Sequence, residues 1–189
     1  MRRRSYAALA LTATLGLSGC ADGIDRMDSR SDPAISTPSF GGTATVDDRS
    51  MPPWSAPNDV AARVAAAGLD LGPMGMAEHY HPRLRIVIAG ADVPIPPNIG
   101  VDPSTGAMSA LHTHEGDGTI HIEADSAGEV FTLGQLFTQW GVALTPQQIG
   151  GVRAKPGQQV LVTSDGAKVA GNPADLRLEP DQQILLTLR

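Results

Sequence analysis

Cysteine is almost absent from this sequence: Cys20 is the single one, and it lies close to the N-terminus. A chain with one cysteine cannot form an internal disulfide, even in a compartment that would permit one. The stability of a folded domain must therefore come from a packed core or from a bound ion. The same scarcity argues against a copper(I) site built from thiolates.

The N-terminal segment lacks an apolar run long enough to span a membrane. Residues 1–19 begin with Met-Arg-Arg-Arg and continue with an apolar run of roughly a dozen residues, the length of a signal-peptide core. A membrane-spanning helix would need ~20 apolar residues. A basic start followed by a short apolar run predicts an export signal that is removed from the mature protein.

The last residues of this signal, Leu17-Ser18-Gly19-Cys20, resemble the lipobox of bacterial lipoproteins. The resemblance implies that Cys20 is acylated on its sulfur and becomes the mature N-terminus. We therefore expect a protein held at the extracytoplasmic face of the cell membrane by acyl chains, each buried CH₂ contributing ~0.8 kcal/mol. The alternative is an ordinary cleaved signal in which Cys20 has no special role.

Basic residues are scarce once the signal is removed. The signal takes away three arginines and no acid, which leaves 11 basic and 20 acidic residues and a net charge of −9. So acidic a protein is a poor ligand for nucleic acid or for anionic lipid headgroups. The predicted partner is thus the membrane, reached through the lipid anchor alone.

Apolar patterning divides the mature chain into two parts. Residues 20–57 are rich in Asp, Ser, Thr, Pro and Gly, and they predict a flexible tether in which Trp54 packs only locally. Residues 58–189 suffice for a single globular domain with one core. A short helix is expected at its start, capped by Asn58 or Asp59 and ended by Gly68.

Three stretches of the domain predict strands, and one predicts a clear helix. Hairpins are expected in "RLRIVIAGADVPI", with its turn at Gly90-Ala91, and in "QQVLVTSDGAKVAG", while "QQILLTLR" reads as a closing strand. The helix lies in "FTLGQLFTQWG", where Thr132 and Gln135 fit a capping box. "LTPQQIG" suggests a short helical turn that begins at Pro146. These elements predict an α+β domain with a small, mainly antiparallel sheet packed by one amphipathic helix, compatible with a β-grasp-like roll.

The stretch "LHTHEGDGTIHIEAD" predicts a third hairpin, turning at Gly116-Asp117. In that register the paired residue numbers sum to 233, so His112 lies opposite His121. Alternation of side chains along each strand then separates a core face from a water-facing one. The core face carries Leu111, Thr113, Ile120 and Ile122. The water-facing side carries His112, His114, Thr119, His121 and Glu123.

The remaining histidines, His79 and His81, form a second His-x-His pair upstream. If their strand neighbours the hairpin, all five histidines of the chain share one face. Imidazoles on opposed positions are close enough to chelate one ion at ~2.0–2.1 Å. Glu123 is the acid best placed to ligate the ion or to orient a ligating histidine through a hydrogen bond, ahead of Glu115 and Asp117.

This arrangement resembles, in a few residues only, the three-histidine zinc site of α-carbonic anhydrases. There too one strand supplies His-x-His and an antiparallel neighbour supplies the third ligand. Over a longer stretch the chain resembles an uncharacterised family of exported bacterial and archaeal proteins. The motifs that carry this resemblance are "HYHPRLRIVIAG", "VPIPPNIG", "LHTHEGDGTIHIE" and "FTLGQLFTQWG". It implies that the histidines belong together in one module.

The clustering of every histidine in two short segments favours a transition-metal site made of His79, His81, His112, His114 and His121. Imidazole suits zinc and copper(II), and Met74 and Met76 leave a mixed copper site open. We expect a binding protein more than an enzyme. The alternatives are a zinc enzyme with an open coordination position and Glu123 as general base, and a structural module of hydrogen-bonded imidazoles.

Overall fold

The structure is a computed structural model that describes residues 46, 47 and 49–189. The predicted signal peptide (1–19), Cys20 and residues 21–45 of the predicted tether lie outside the described residues. Neither α-helix among the described residues is long and apolar enough to cross a membrane.

The described residues form two α-helices, thirteen short strands and one 3₁₀ helix, Pro173–Asp175. In chain order the α-helices and strands are α1 (Val60–Ala66), β1 (Leu71–Gly72), β2 (Glu78–Tyr80), β3 (Arg83–Ile88), β4 (Ala91–Val93), β5 (Met108–Ser109), β6 (Leu111–His112), β7 (His121–Ala124), α2 (Leu133–Trp140), β8 (Leu144–Thr145), β9 (Gln148–Ile149), β10 (Val152–Arg153), β11 (Val160–Ser164), β12 (Ala167–Val169) and β13 (Gln183–Leu188).

The largest sheet has five strands in the order β12-β11-β13-β3-β4. Its central pair, β13 and β3, is parallel, and its other pairs are antiparallel. Alternation in β13 explains its place at the centre, because Ile184, Leu186 and Leu188 are buried while the residues between them are not. Two hairpins around a parallel central pair remain compatible with the β-grasp-like roll.

Helix α2 completes the core, as its sequence predicts. Thr132 and Gln135 form the capping box, and the helix ends at Gly141 in the left-handed conformation. The apolar stripe of α2 is buried in the same core as the inner faces of β3, β11 and β13. The stripe consists of Leu133, Leu136, Phe137 and Trp140. The predicted α+β class, a mainly antiparallel sheet packed by one amphipathic helix, is therefore confirmed.

Two of the predicted turns differ from the structure. The first hairpin turns at Ala89-Gly90 instead of Gly90-Ala91, because Ile88 pairs with Ala91 and both turn residues take positive φ. "LTPQQIG" forms the hairpin β8–β9 and not a helical turn. Its strands pair Leu144 with Ile149, so pairing two buried apolar residues outweighs the helical preference of Pro146.

The predicted tether extends too far toward the domain, because part of residues 20–57 is packed. Trp54 is 6% exposed, and its ring lies edge-on against Trp140 at a centroid distance of 5.7 Å. The indole Nε1 of Trp54 donates to the Ser50 carbonyl, and that of Trp140 donates to the Ser55 carbonyl. Burial of two indoles makes this segment part of the core, which a composition rich in proline and serine does not reveal.

Candidate metal centre

The histidines lie on a second, smaller sheet with the strand order β2-β7-β6. His112 on β6 pairs with His121 on β7, and His79 on β2 pairs with Glu123 on β7. Because residues two apart share a face of a strand, these four side chains project to the same side. His81 and His114 follow the ends of β2 and β6, so the two His-x-His segments flank β7.

The predicted hairpin is correct at its base and wrong towards its tip. Leu111 pairs with Ile122 and His112 with His121, as the register with paired numbers summing to 233 predicts. Beyond His112 and His121 the two arms separate, and residues 113–120 form an open loop in place of a tight turn at Gly116-Asp117.

Each arm of this loop is bound by another part of the chain. Thr113 exchanges backbone hydrogen bonds with the segment 98–99, and Gly118 accepts a backbone hydrogen bond from Leu84 at the start of β3. Gly118 has φ +87°, and a Cβ there would collide with the Leu84 carbonyl oxygen. The competing partners are distant in the chain, so hairpin symmetry could not have revealed them.

The histidine face is not the solvated surface that we predicted. His112 is fully buried and Glu123 is 5% exposed, whereas the side chain of His79 is 57% exposed. One reason is that the rings cover one another, since His112 and His121 stack 14° from parallel with centroids 5.4 Å apart. The cluster therefore runs from solvent at β2 to the interior at β6.

All five imidazoles touch in one continuous series. Ring centroids lie 4.7 Å apart for His79 and His81, and the same distance separates His81 from His121. His114 lies 4.8 Å from His121 and 4.5 Å from His112. The loop and the three strands thus bring every histidine of the chain together, with His121 in contact with both His-x-His pairs.

The spacing of the ring nitrogens suits chelation. In each His-x-His pair, His79 with His81 and His112 with His114, the two Nε2 atoms are 3.0 Å apart. Nitrogens that each lie ~2.0–2.1 Å from one metal are about 2.9 Å apart at 90° and about 3.3 Å apart at the tetrahedral angle. Two groups of three histidines have donor atoms within 4.8 Å of one another and could hold a metal ion: His79, His81 and His121, and His112, His114 and His121.

A backbone hydrogen bond fixes His112 in the tautomer that can bind a metal through Nε2. Its Nδ1 lies 2.7 Å from the Ser109 carbonyl oxygen, which accepts hydrogen bonds only, so Nδ1 carries the proton. The lone pair of Nε2 is then directed at His114 and the rest of the cluster, the tautomer that metal-bound histidines commonly adopt. Burial lowers the pKa of His112 to about 4, and nearby His114 and His121 add to the effect. The ring is therefore neutral near pH 7, the form that binds metal.

Two carboxylates adjoin the imidazoles. Oε1 of Glu123 lies 3.4 Å from Nε2 of His79, and Oε2 of Glu123 lies 3.9 Å from Nε2 of His112. Among the described residues Oε2 of Glu123 is buried without a hydrogen-bond partner. Glu115 adds a contact of 3.1 Å from its Oε2 to Nε2 of His121. A buried carboxylate oxygen with no donor favours a cation beside it.

The other residues considered from the sequence have separate contacts. Asp117 pairs with Arg83 at 2.9 Å, and Glu78 accepts from the Gly128 amide. Met74 and Met76 are 47% and 85% exposed, so thioether sulfur is not part of the buried donor set. The side chains that the fold gathers are therefore imidazoles and carboxylates.

Two groups that hold the site in place, the Ser109 carbonyl and Gln139, were not predicted from the sequence. The Ser109 carbonyl is a backbone group, for which the sequence carries no signal. Gln139 is fully buried on α2, and its Nε2 donates to the Leu111 carbonyl at 3.0 Å, which ties the helix to β6. A polar residue beside the apolar stripe of α2 was the available signal for Gln139.

An open cleft of about 490 Å³ adjoins the exposed end of the cluster. His79 and His81 line it together with four acids: Glu78, Glu129, Glu179 and Asp181. Acidic walls raise the local concentration of cations, so this side offers divalent ions a route to the imidazoles.

No protein-family model, curated protein or solved structure matches this chain. The class of the protein therefore rests on the fold and the site: an α+β domain whose smaller sheet carries a five-histidine cluster able to hold metal.

Proposed function

We propose that this protein is a lipid-anchored, extracytoplasmic binding protein that holds zinc or copper(II) in its histidine cluster. The proposal joins two independent supports. Convergent imidazoles support the metal, while the export signal and Leu17-Ser18-Gly19-Cys20 support the anchor.

The observation that carries the metal proposal is the environment of Nε2 of His112. Its lone pair is fixed by the Nδ1 contact to Ser109, and it lies 3.0 Å from Nε2 of His114. The buried Oε2 of Glu123 lies 3.9 Å away on the same side. Two imidazole nitrogens and an unpaired carboxylate oxygen beside them favour a cation, which would satisfy all three.

The choice of metal follows from the donor atoms. Imidazole nitrogen and carboxylate oxygen suit zinc and copper(II), whereas copper(I) prefers sulfur. The single cysteine of the chain is the proposed lipid site, so no thiolate competes at the centre. The neutral ring of His112 needs no deprotonation to bind an ion at pH 7, and binding should weaken in acid because a ligating imidazole must be neutral.

Calorimetric titration of the full-length mature protein, stripped of metal in detergent, tests the metal proposal. Zn²⁺ or Cu²⁺ should bind tightly, and replacing both His112 and His121 by alanine should remove that binding. Lys168→Ala, on the exposed edge strand β12, is the matched control and should bind as the unaltered protein does. Equal affinity of the double variant and the control would reject the site.

The anchor is tested separately by Cys20→Ser. We expect this variant to leave the membrane fraction and to lose the mass of the acyl chains in mass spectrometry of the N-terminal peptide. Lipidation would be contradicted if Cys20→Ser stayed in the membrane fraction and the N-terminal peptide of the unaltered protein carried no acyl chain. The metal proposal would be unaffected.

A second candidate is a structural cluster of hydrogen-bonded imidazoles. The 3.0 Å between Nε2 atoms in each His-x-His pair also fits an N–H···N hydrogen bond. This candidate predicts that excess Zn²⁺ leaves the melting temperature unchanged, whereas a metal site predicts a rise that depends on ion concentration.

A further inference from the structure

The geometry points to a centre for two ions in which His121 is the shared ligand. One ion would be held by His79, His81 and His121, and the other by His112, His114 and His121. This inference rests on the proposed metal binding and adds the number of ions and the role of each nitrogen of His121.

The histidine donor atoms gather in two groups. Two donors to one ion are at most about 4.2 Å apart, twice the metal–nitrogen distance, so a group with donors up to 4.8 Å apart must draw together slightly when it binds. Each group of three histidines has its donor atoms within 4.8 Å of one another, and His121 belongs to both groups. Each group also contains its own His-x-His pair with Nε2 atoms at 3.0 Å, so each can begin chelation independently.

The two ring nitrogens of His121 face different neighbours. Nε2 lies 3.1 Å from Oε2 of Glu115, which follows His114 in the chain. Nδ1 lies 4.0 Å from Oε1 of Glu123, the oxygen that is 3.4 Å from Nε2 of His79. The two nitrogens of an imidazole point in diverging directions, so a ring that has lost its N–H proton can bind a separate ion through each nitrogen.

The positive charge of two ions must be balanced by negative groups at the site. Two divalent ions bring four positive charges, and the carboxylates of Glu115 and Glu123 supply two negative ones beside the rings. A neutral imidazole carries one N–H proton, so a ring that binds one ion through each nitrogen must release this proton to solvent. The imidazolate that remains adds a third negative charge between the two ions.

The two positions differ in burial. His112 is fully buried, whereas the His79 side chain is 57% exposed beside the acidic cleft. We therefore expect the ion beside His79 to exchange with solvent faster than the ion beside His112, although His114 and Glu115 also reach the surface.

Copper(II) added to the metal-free, full-length mature protein tests this arrangement. Native mass spectrometry should show two ions per chain. The electron paramagnetic resonance signal should grow with the first equivalent and fall with the second, because spins joined through an imidazolate couple. Calorimetry in buffers of different ionisation enthalpy should detect one additional proton released with the second ion, above pH 7.5.

Variants separate the two positions. The double variant His79→Ala/His81→Ala should retain one ion, and so should His114→Ala. His121→Ala should lose the spin coupling, while Lys168→Ala should keep two coupled ions. Circular dichroism of each variant checks the fold, and the measurements on the unaltered protein stand without any variant.

The outcomes distinguish this inference from the proposed function. A single ion per chain at saturation overturns the two-ion centre and leaves metal binding intact. Two ions with the full signal of isolated copper overturn the shared His121. Absence of any bound ion overturns both the inference and the proposed function.

Discussion

Two of the four sheets among the described residues bury different side chains: the five-stranded sheet and the three-stranded histidine sheet, β2-β7-β6. In the five-stranded sheet the central strands pair over six residues, and the buried positions of β3 and β13 are aliphatic. In the three-stranded sheet the strands are two to four residues long, and one buried face carries His112 and Glu123. The first sheet buries only aliphatic side chains in β3 and β13, whereas the second buries apolar side chains on one face and polar ones on the other, where Oε2 of Glu123 has no hydrogen-bond partner.

The largest effect should come from breaking the five-stranded sheet. Leu186 is fully buried at the centre of β13, so Leu186→Ala leaves a cavity. We expect the free energy of unfolding to fall by about 2–5 kcal/mol in urea denaturation, with the number of bound ions unchanged. A variant that also lost its metal would show that the two sheets are not separable in this way.

Acid should act on the histidine sheet. The pKa of His112 is about 4 in the folded protein and about 6.5 when unfolded, so the unfolded chain binds the extra proton between these values. The free energy of unfolding of the metal-free protein should therefore fall as pH drops from 6.5 to 4, by about 3 kcal/mol at most. The groups that face His112 are His114, His121, Glu115 and Glu123.

Urea denaturation at a series of pH values measures this slope. His112→Asn should flatten it, and Leu186→Ala should lower the whole curve without changing the slope. A slope that survives His112→Asn would contradict the assignment to this ring.

A bound metal ion should stabilise the histidine sheet, because the ion binds the side chains of that sheet. An ion at 100 times its dissociation constant adds about 2.7 kcal/mol to the free energy of unfolding. We expect Zn²⁺ to raise the melting temperature of both the unaltered protein and Leu186→Ala, and a chelator to reverse the rise. An equal rise in His112→Ala would place the ion elsewhere.

The smallest effect should come from the buried carboxylate. Glu123→Gln keeps the shape of the side chain and removes its charge, so metal affinity should fall by about 10-fold, as for other groups that support metal ligands. Asp92→Asn, which removes the charge of an exposed acid on β4 that pairs with Arg85, is the control and should change affinity little. Calorimetric titration of both variants checks the difference.

The same contrast explains which features the sequence could predict. Local patterns sufficed for the capping box of Thr132 and Gln135, for the closing strand β13 and for the pairing of His112 with His121. The loop tip could not be predicted, because Gly118 bonds to Leu84, far away in the chain. Burial of His112 escaped prediction for a related reason, since alternation assigns a residue to a face without showing what covers that face.

The hydrogen bond from the Leu84 amide to the Gly118 carbonyl joins the two sheets at the loop between the histidine strands. Thr119 forms a bridge with Arg83 one residue further on, so the backbone of β3 holds the far end of this loop. An adjustment of the imidazoles around an ion would therefore pull on the start of β3, an interior strand of the larger sheet. Binding at the histidines would then shift the strand that buries Leu84 and Ile86 in the core.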